Sequence, residues 1–87
     1  MKVLNRPIKI ISITDENGEI QPVRFQISDK ASKPVTIKIE KILNIHEEKV
    51  AGTVLRMFHC QSTIKGQLKD YELRYNTQTC KWYLFKM

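Results

Sequence analysis

The chain has 87 residues, 41% of them hydrophobic, and a formal net charge of +6. A chain of this length buries only about 60% of its unfolded surface, so we expect one domain with a compact core and no enclosed small-molecule cavity. No apolar run approaches the roughly 18 residues that cross a bilayer, and the basic N-terminus lacks a signal-peptide cleavage site. Residues 1–87 are therefore expected to form one cytoplasmic domain that does not bind a membrane.

β-Branched residues and a two-residue apolar period dominate the chain, which favours strands over helices. A first strand is predicted at Ile8–Thr14 and a second at Gln21–Ser28. Asn17 and Gly18 between them predict a hairpin turn, because both residue types tolerate positive φ. The first strand is apolar on both faces and should be well buried. Pro22 has no amide hydrogen to donate, so it should mark an edge or a bulge of the second strand.

The middle of the chain is harder to interpret. A polar connection at residues 29–34 precedes a third strand predicted at Val35–Leu43. Apolar residues between positions 41 and 52 recur at helical spacing, and Gly52 is a residue type that often ends helices. A strand that reaches about Leu43, followed by a loop with a short helical turn near residues 44–51, fits equally well.

The last third, Val54–Met87, predicts a three-stranded antiparallel meander with turns near Lys65-Gly66 and Thr77-Gln78. Two-residue loops at both turns set the register and place alternate side chains on one apolar face. That face forms the predicted core wall: Phe58, Cys60, Tyr71, Leu73, Tyr75, Cys80, Trp82 and Leu84. Five or six antiparallel strands on so short a chain must curl to bury one face. The predicted fold is therefore all-β, a small antiparallel barrel or roll.

The opposite side of the meander, called here the outer meander face, mixes aromatic, basic and acidic side chains in cross-strand rows. The candidate binding surface on it consists of Met57, His59, Glu72, Arg74, Lys81, Tyr83 and Phe85. Apolar residues that interrupt a polar sheet are typical of protein-docking surfaces. We therefore expect a non-catalytic module that binds a protein partner or associates with itself.

Nucleic acid is the alternative partner. The basic excess favours polyanions, and Tyr83 and Phe85 offer rings on which single-stranded bases could stack, as they do on other small β-barrels. Both classes of partner fit this sequence.

Catalytic, metal and cofactor chemistry find little support in the sequence. A predicted His59–Glu72–Tyr83 row has a base beside a carboxylate but no nucleophile near it. The predicted register places Cys60 and Cys80 about 16 Å apart, too far for a disulfide, so both should be reduced and buried. Neighbouring strand residues His59 and Cys60 point to opposite faces and cannot share a metal ion. No enzyme, metal site or cofactor is expected.

The pattern CQS…YEL.Y…TCKWYLFK, in residues 60–87, resembles that of a group of small, functionally uncharacterised bacterial all-β proteins. The resemblance implies an independent small β domain. It carries no activity and no site residues with it.

Overall fold

The computed structural model describes residues 1–28 and 33–87, and every regular element in them is a strand. The predicted connection at residues 29–34 lies mostly outside the described residues. The strands are β1 (Val3–Pro7), β2 (Lys9–Thr14), β3 (Ile20–Ile27), β4 (Val35–Lys38), β5 (Lys41–Val50), β6 (Thr53–Ile64), β7 (Gln67–Asn76) and β8 (Lys81–Lys86).

These strands form two antiparallel sheets, with the orders β1-β8-β7-β6-β5 and β2-β3-β4. Two extended runs pass from one sheet to the other: β1 into β2 at Ile8, and β4 into β5 at Ile39. Backbone hydrogen bonds hold both corners, from Ile8 N to Trp82 O at 3.1 Å and from Ile39 N to Val23 O at 3.0 Å. The predicted all-β antiparallel class and its meander are confirmed. Within the described residues, the strands form two sheets and not one closed barrel.

The core lies between the two sheets. The small sheet contributes Phe25 and Ile37, and the large sheet contributes the alternate residues of β6, β7 and β8 that face it. The buried cluster consists of Phe25, Ile37, Phe58, Cys60, Tyr71, Leu73, Trp82 and Leu84. One aromatic pair connects the layers, since the ring centroids of Phe25 and Tyr71 are 5.4 Å apart. The outer meander face therefore points away from the small sheet.

The helical turn predicted near residues 44–51 is wrong, because β5 is a strand that pairs with β6 from Lys41 to Val50. The register shifts between Ile42 and Asn44, which leaves Leu43 as an extra residue. A bulge of this kind breaks the two-residue period, so the apolar residues on either side of it are spaced as they would be in a helix. The predicted third strand also breaks, because β4 ends at Lys38 and β5 begins at Lys41.

β2 is less buried than its sequence predicts. Its residues Ile11 and Ile13 are 57% and 61% exposed, because β2 is an edge strand of the small sheet and only one of its faces meets the core. The prediction for Pro22 is confirmed. Ile11 pairs with Arg24 and Ser12 with Pro22, so the ladder carries a bulge at that point.

The predicted register is correct at one turn of the meander and wrong at the other. The β6–β7 register is confirmed throughout, with Phe58 opposite Leu73 and Cys60 opposite Tyr71. The predicted β7–β8 register is wrong by two residues, because Tyr75 pairs with Trp82 and Leu73 with Leu84. The loop spans residues 77–80 instead of two residues. A shift by an even number keeps every strand side chain on its predicted face.

Cys80 is the exception to this agreement. It lies in the loop with φ of 60° and is exposed, contrary to the prediction that it belongs to the core wall. Asn76 Oδ1 accepts hydrogen bonds from Gln78 N at 2.9 Å and from Thr79 N at 3.1 Å. These bonds stabilise a longer loop than the sequence pattern indicated.

Candidate binding surface on the outer meander face

The structure brings most of the predicted surface residues together on the outer meander face. Five of them are half-buried neighbours on β6, β7 and β8: His59, Glu72, Arg74, Tyr83 and Phe85. Met57 lies on the same face, opposite Arg74, but is only 3% exposed, so the neighbouring side chains cover it. Lys81 does not lie beside these residues. It pairs with Asn76 at the start of β8, and Tyr83 takes the position opposite Arg74.

Arg74 is the central residue of this face. Its guanidinium carbon lies 3.2 Å from the centroid of the Phe85 ring, a cation–π contact. Its Nε lies 3.8 Å from Glu72 Oε1, and one Nη lies 4.0 Å from a carboxylate oxygen of Glu48. The side chains of Arg74 and Glu72 are only 22% and 15% exposed. The cation is thus held between an aromatic ring and two carboxylates, largely out of water.

A bulge in β8 sets the position of Phe85. Leu73 pairs with Leu84, whereas the preceding residue Glu72 pairs with Lys86, which leaves Phe85 as the extra residue. Two adjacent β8 side chains therefore oppose one residue of β7. The Lys86 Nζ lies 5.3 Å from the centroid of the Phe85 ring. Two cations therefore lie close to this ring.

His59 has a different partner from the one predicted. It faces Glu72 across the ladder, but its Nε2 lies 3.3 Å from Asp70 Oδ2. Gln61 donates a hydrogen bond to the other oxygen of that carboxylate at 2.9 Å. The predicted His59–Glu72–Tyr83 row is therefore not formed, because the register of β8 moves Tyr83 beside Arg74.

The outer meander face combines cationic, acidic and aromatic side chains. The two cations Arg74 and Lys86 both lie near the Phe85 ring, and the carboxylates of Glu48 and Glu72 lie near Arg74. Among residues 1–28 and 33–87, no group of three or more His, Cys, Asp or Glu side chains is arranged to hold a metal ion.

Sequence reasoning left three contributors out of the candidate surface. Glu48 was placed in an ambiguous segment, and its approach to Arg74 depends on β5 being a strand. Lys86 reaches the Phe85 ring only because of the β8 bulge. Asp70 lies on the same face as Glu72, two residues along β7, but its contact with His59 is diagonal and follows from side-chain packing. An alternation pattern carries no signal for a bulge or a diagonal contact.

Comparisons of the chain with protein-family models, curated proteins and solved structures find no match. The resemblance of residues 60–87 to small bacterial all-β proteins stays a prediction. In the part of the chain that the structure describes, no helix has the length and apolar character needed to span a membrane.

Proposed function

We propose that the protein is a non-catalytic interaction module that uses the outer meander face to bind a protein partner or a second copy of itself. The observation that carries this proposal is the half-buried group in which Arg74 stacks on Phe85 and is flanked by Glu72. We also propose, from the sequence, that the protein acts in the cytoplasm.

The composition of the face supports a protein partner. Arginine, tyrosine and other aromatic residues are enriched where partners bind most tightly, particularly when they are already partly desolvated and held in one conformation. Arg74, Tyr83 and Phe85 are half-buried, Arg74 packs on the Phe85 ring, and the buried Met57 lies on the same face. A partner that covers the face would lose little side-chain entropy from these residues.

Nucleic acid is the less favoured partner for this face. A phosphate backbone requires a continuous cationic path. Here Tyr83 and Phe85 share the outer meander face with Glu48, Glu72 and Asp70, whose carboxylates would repel phosphates. The mixed charge therefore favours a polar protein surface over single-stranded nucleic acid.

The test compares single variants of the face in binding assays. Tyr83→Ala, Phe85→Ala and Arg74→Ala should each reduce capture of partners from nuclease-treated extract of the source cells, or self-association in sedimentation, by about tenfold or more. Val35→Ala is the matched control, because Val35 is also exposed, at 37%, but lies on β4 of the small sheet. It should leave binding unchanged.

Stability and salt measurements complete this test. Tyr83→Ala should barely change the free energy of unfolding, whereas Trp82→Ala should lower it by about 3–5 kcal/mol, since only Trp82 belongs to the core. Equal losses from both variants, or no effect of the face variants on binding, would contradict the proposal. Binding of a labelled single-stranded oligonucleotide that weakens steeply with salt and depends on Phe85 would favour the nucleic-acid alternative.

A further inference from the structure

Four strands form the edges of the two sheets: β1 and β5 in one, and β2 and β4 in the other. Natural edge strands usually carry features that prevent pairing with another chain. β1 contains Pro7 and an irregularity at Asn5, whose φ is 46°. β4 is only four residues long. β5 is bulged at Leu43 and rich in charged side chains. Three of the four edges are therefore protected.

β2 lacks this protection. Its sequence, KIISIT, is six residues long, contains no proline, and has one charged residue at its first position. The bulge in its pairing with β3 adds the extra residue to β3 and leaves β2 continuous. Within residues 1–28 and 33–87, nothing pairs with its outer edge. Ile11 and Ile13 are more than half exposed beside that edge.

We propose that β2 pairs antiparallel with β2 of a second copy of this chain, about a two-fold axis at Ser12. In this register Ile11 faces Ile13 of the other copy, and Ile13 faces Ile11. Lys9 faces Asp15 of the other copy at both ends of the ladder. The two small sheets thereby join into one sheet of six strands, with aliphatic pairs at the centre and opposite charges at each end.

Charge complementarity selects this register over its neighbour. A two-fold axis at Ile11 would place Lys9 opposite Ile13 and leave both lysines without a carboxylate. Asp15 directly follows β2, where its Oδ1 accepts hydrogen bonds from Asn17 N and Glu19 N, each at 2.9 Å. The carboxylate is thus held at the end of the strand. The two Lys9–Asp15 pairs also offset the repulsion between two chains that each carry a charge of +6.

The contact is small, so the dimer should be weak. Pairing of one short strand buries less than the roughly 1,200 Å² at the lower end of stable interfaces. A dissociation constant on the order of 100 µM is expected, which sedimentation equilibrium can measure from about 10 µM to 1 mM. This surface is separate from the outer meander face, and the two proposals can fail independently.

The first test introduces a charge at the edge. Ile13→Lys should weaken dimerisation by at least about tenfold. Leu68→Lys is the matched control, because Leu68 is 65% exposed on the other sheet and receives the same change. It should leave the dimer intact. Asp15→Asn keeps the turn acceptor Oδ1 and removes the charge, so it should weaken the dimer several-fold at low salt.

The second test determines the register by oxidative cross-linking in a Cys80→Ser background, which removes the exposed thiol. A mixture of Ile11→Cys and Ile13→Cys proteins should form the mixed disulfide faster than either protein cross-links with itself. Faster cross-linking of Ile11→Cys with itself would overturn the Ser12 axis. A monomer at about 1 mM, or a dimer that Phe85→Ala dissociates and Ile13→Lys does not, would overturn the proposal.

Discussion

The two cysteines lie in opposite environments. Cys60 is fully buried in the core, where its Sγ lies 3.7 Å from the carbonyl oxygen of Phe58. Burial raises the pKa of the Cys60 thiol from 9.0 to about 12, because the charged thiolate would lose its hydration. Cys80 is exposed in the β7–β8 loop. The thiolate is the reactive form, so burial protects Cys60 in two ways.

Alkylation of the native protein at pH 8 should therefore modify Cys80 quickly and Cys60 only when the protein unfolds. Mass spectrometry of intact protein and of peptides should show one fast adduct at Cys80, and urea should release the second site. A Cys80→Ser variant should show no fast adduct. Fast labelling of Cys60 under native conditions would mean that the core between the sheets opens readily.

At the scale of single elements, the β7–β8 loop determines which residues of β8 meet which residues of β7. Its length places Tyr83 beside Arg74, and the following bulge brings Lys86 to the face on which Phe85 lies. Asn76 ends β7, and its side-chain oxygen binds two backbone amides of the loop. This single side chain therefore stabilises the turn on which the outer meander face depends.

Asn76→Ala should lower the free energy of unfolding by about 1 kcal/mol, because two amide donors lose their acceptor in a loop that water can partly reach. Urea unfolding followed by Trp82 fluorescence measures this change. Asn76→Asp keeps the acceptor oxygen and should stay close to the wild type. An equal loss in both variants would show that the amide donor of Asn76 matters more than its oxygen.

At the scale of the whole molecule, a buried polar cluster connects the two sheets. Ser62 on β6 is 1% exposed. Its Oγ donates to Lys38 O at 2.7 Å, accepts from Glu40 N at 3.3 Å and lies 2.6 Å from Tyr71 Oη. Glu40 Oε1 accepts from Thr63 N. These bonds provide partners for backbone groups at the corner between β4 and β5. In a continuous strand, the neighbouring strand of the ladder would provide those partners.

Tyr71→Phe should cost about 1 kcal/mol of folding free energy, and Ser62→Ala about 1–3 kcal/mol, because the alanine leaves several buried groups unpaired. The two residues share one hydrogen bond, so the double variant should lose less than the sum of the single losses. Urea unfolding of all four proteins measures the coupling. Strict additivity would show that the short Ser62–Tyr71 contact contributes nothing to stability.

The sequence by itself determined the strands that have regular alternation and tight turns. Gly66 favours positive φ and lies between two strands of regular alternation, so the β6–β7 turn, its register and its buried face follow from the local sequence. Alternation also assigned the outer meander face correctly, because a register error of two residues leaves every strand side chain on the same side.

Only the tertiary structure decided the rest. The bulges at Leu43 and Phe85 interrupt the two-residue alternation, and no residue type in either segment requires a bulge. Their positions depend on hydrogen bonding with the neighbouring strand. The exposure of Ile11 depends on the outer face of the small sheet being uncovered, which is a property of how the sheets pack and not of the strand. Such features arise from contacts between residues distant in sequence, where a short sequence pattern carries no information.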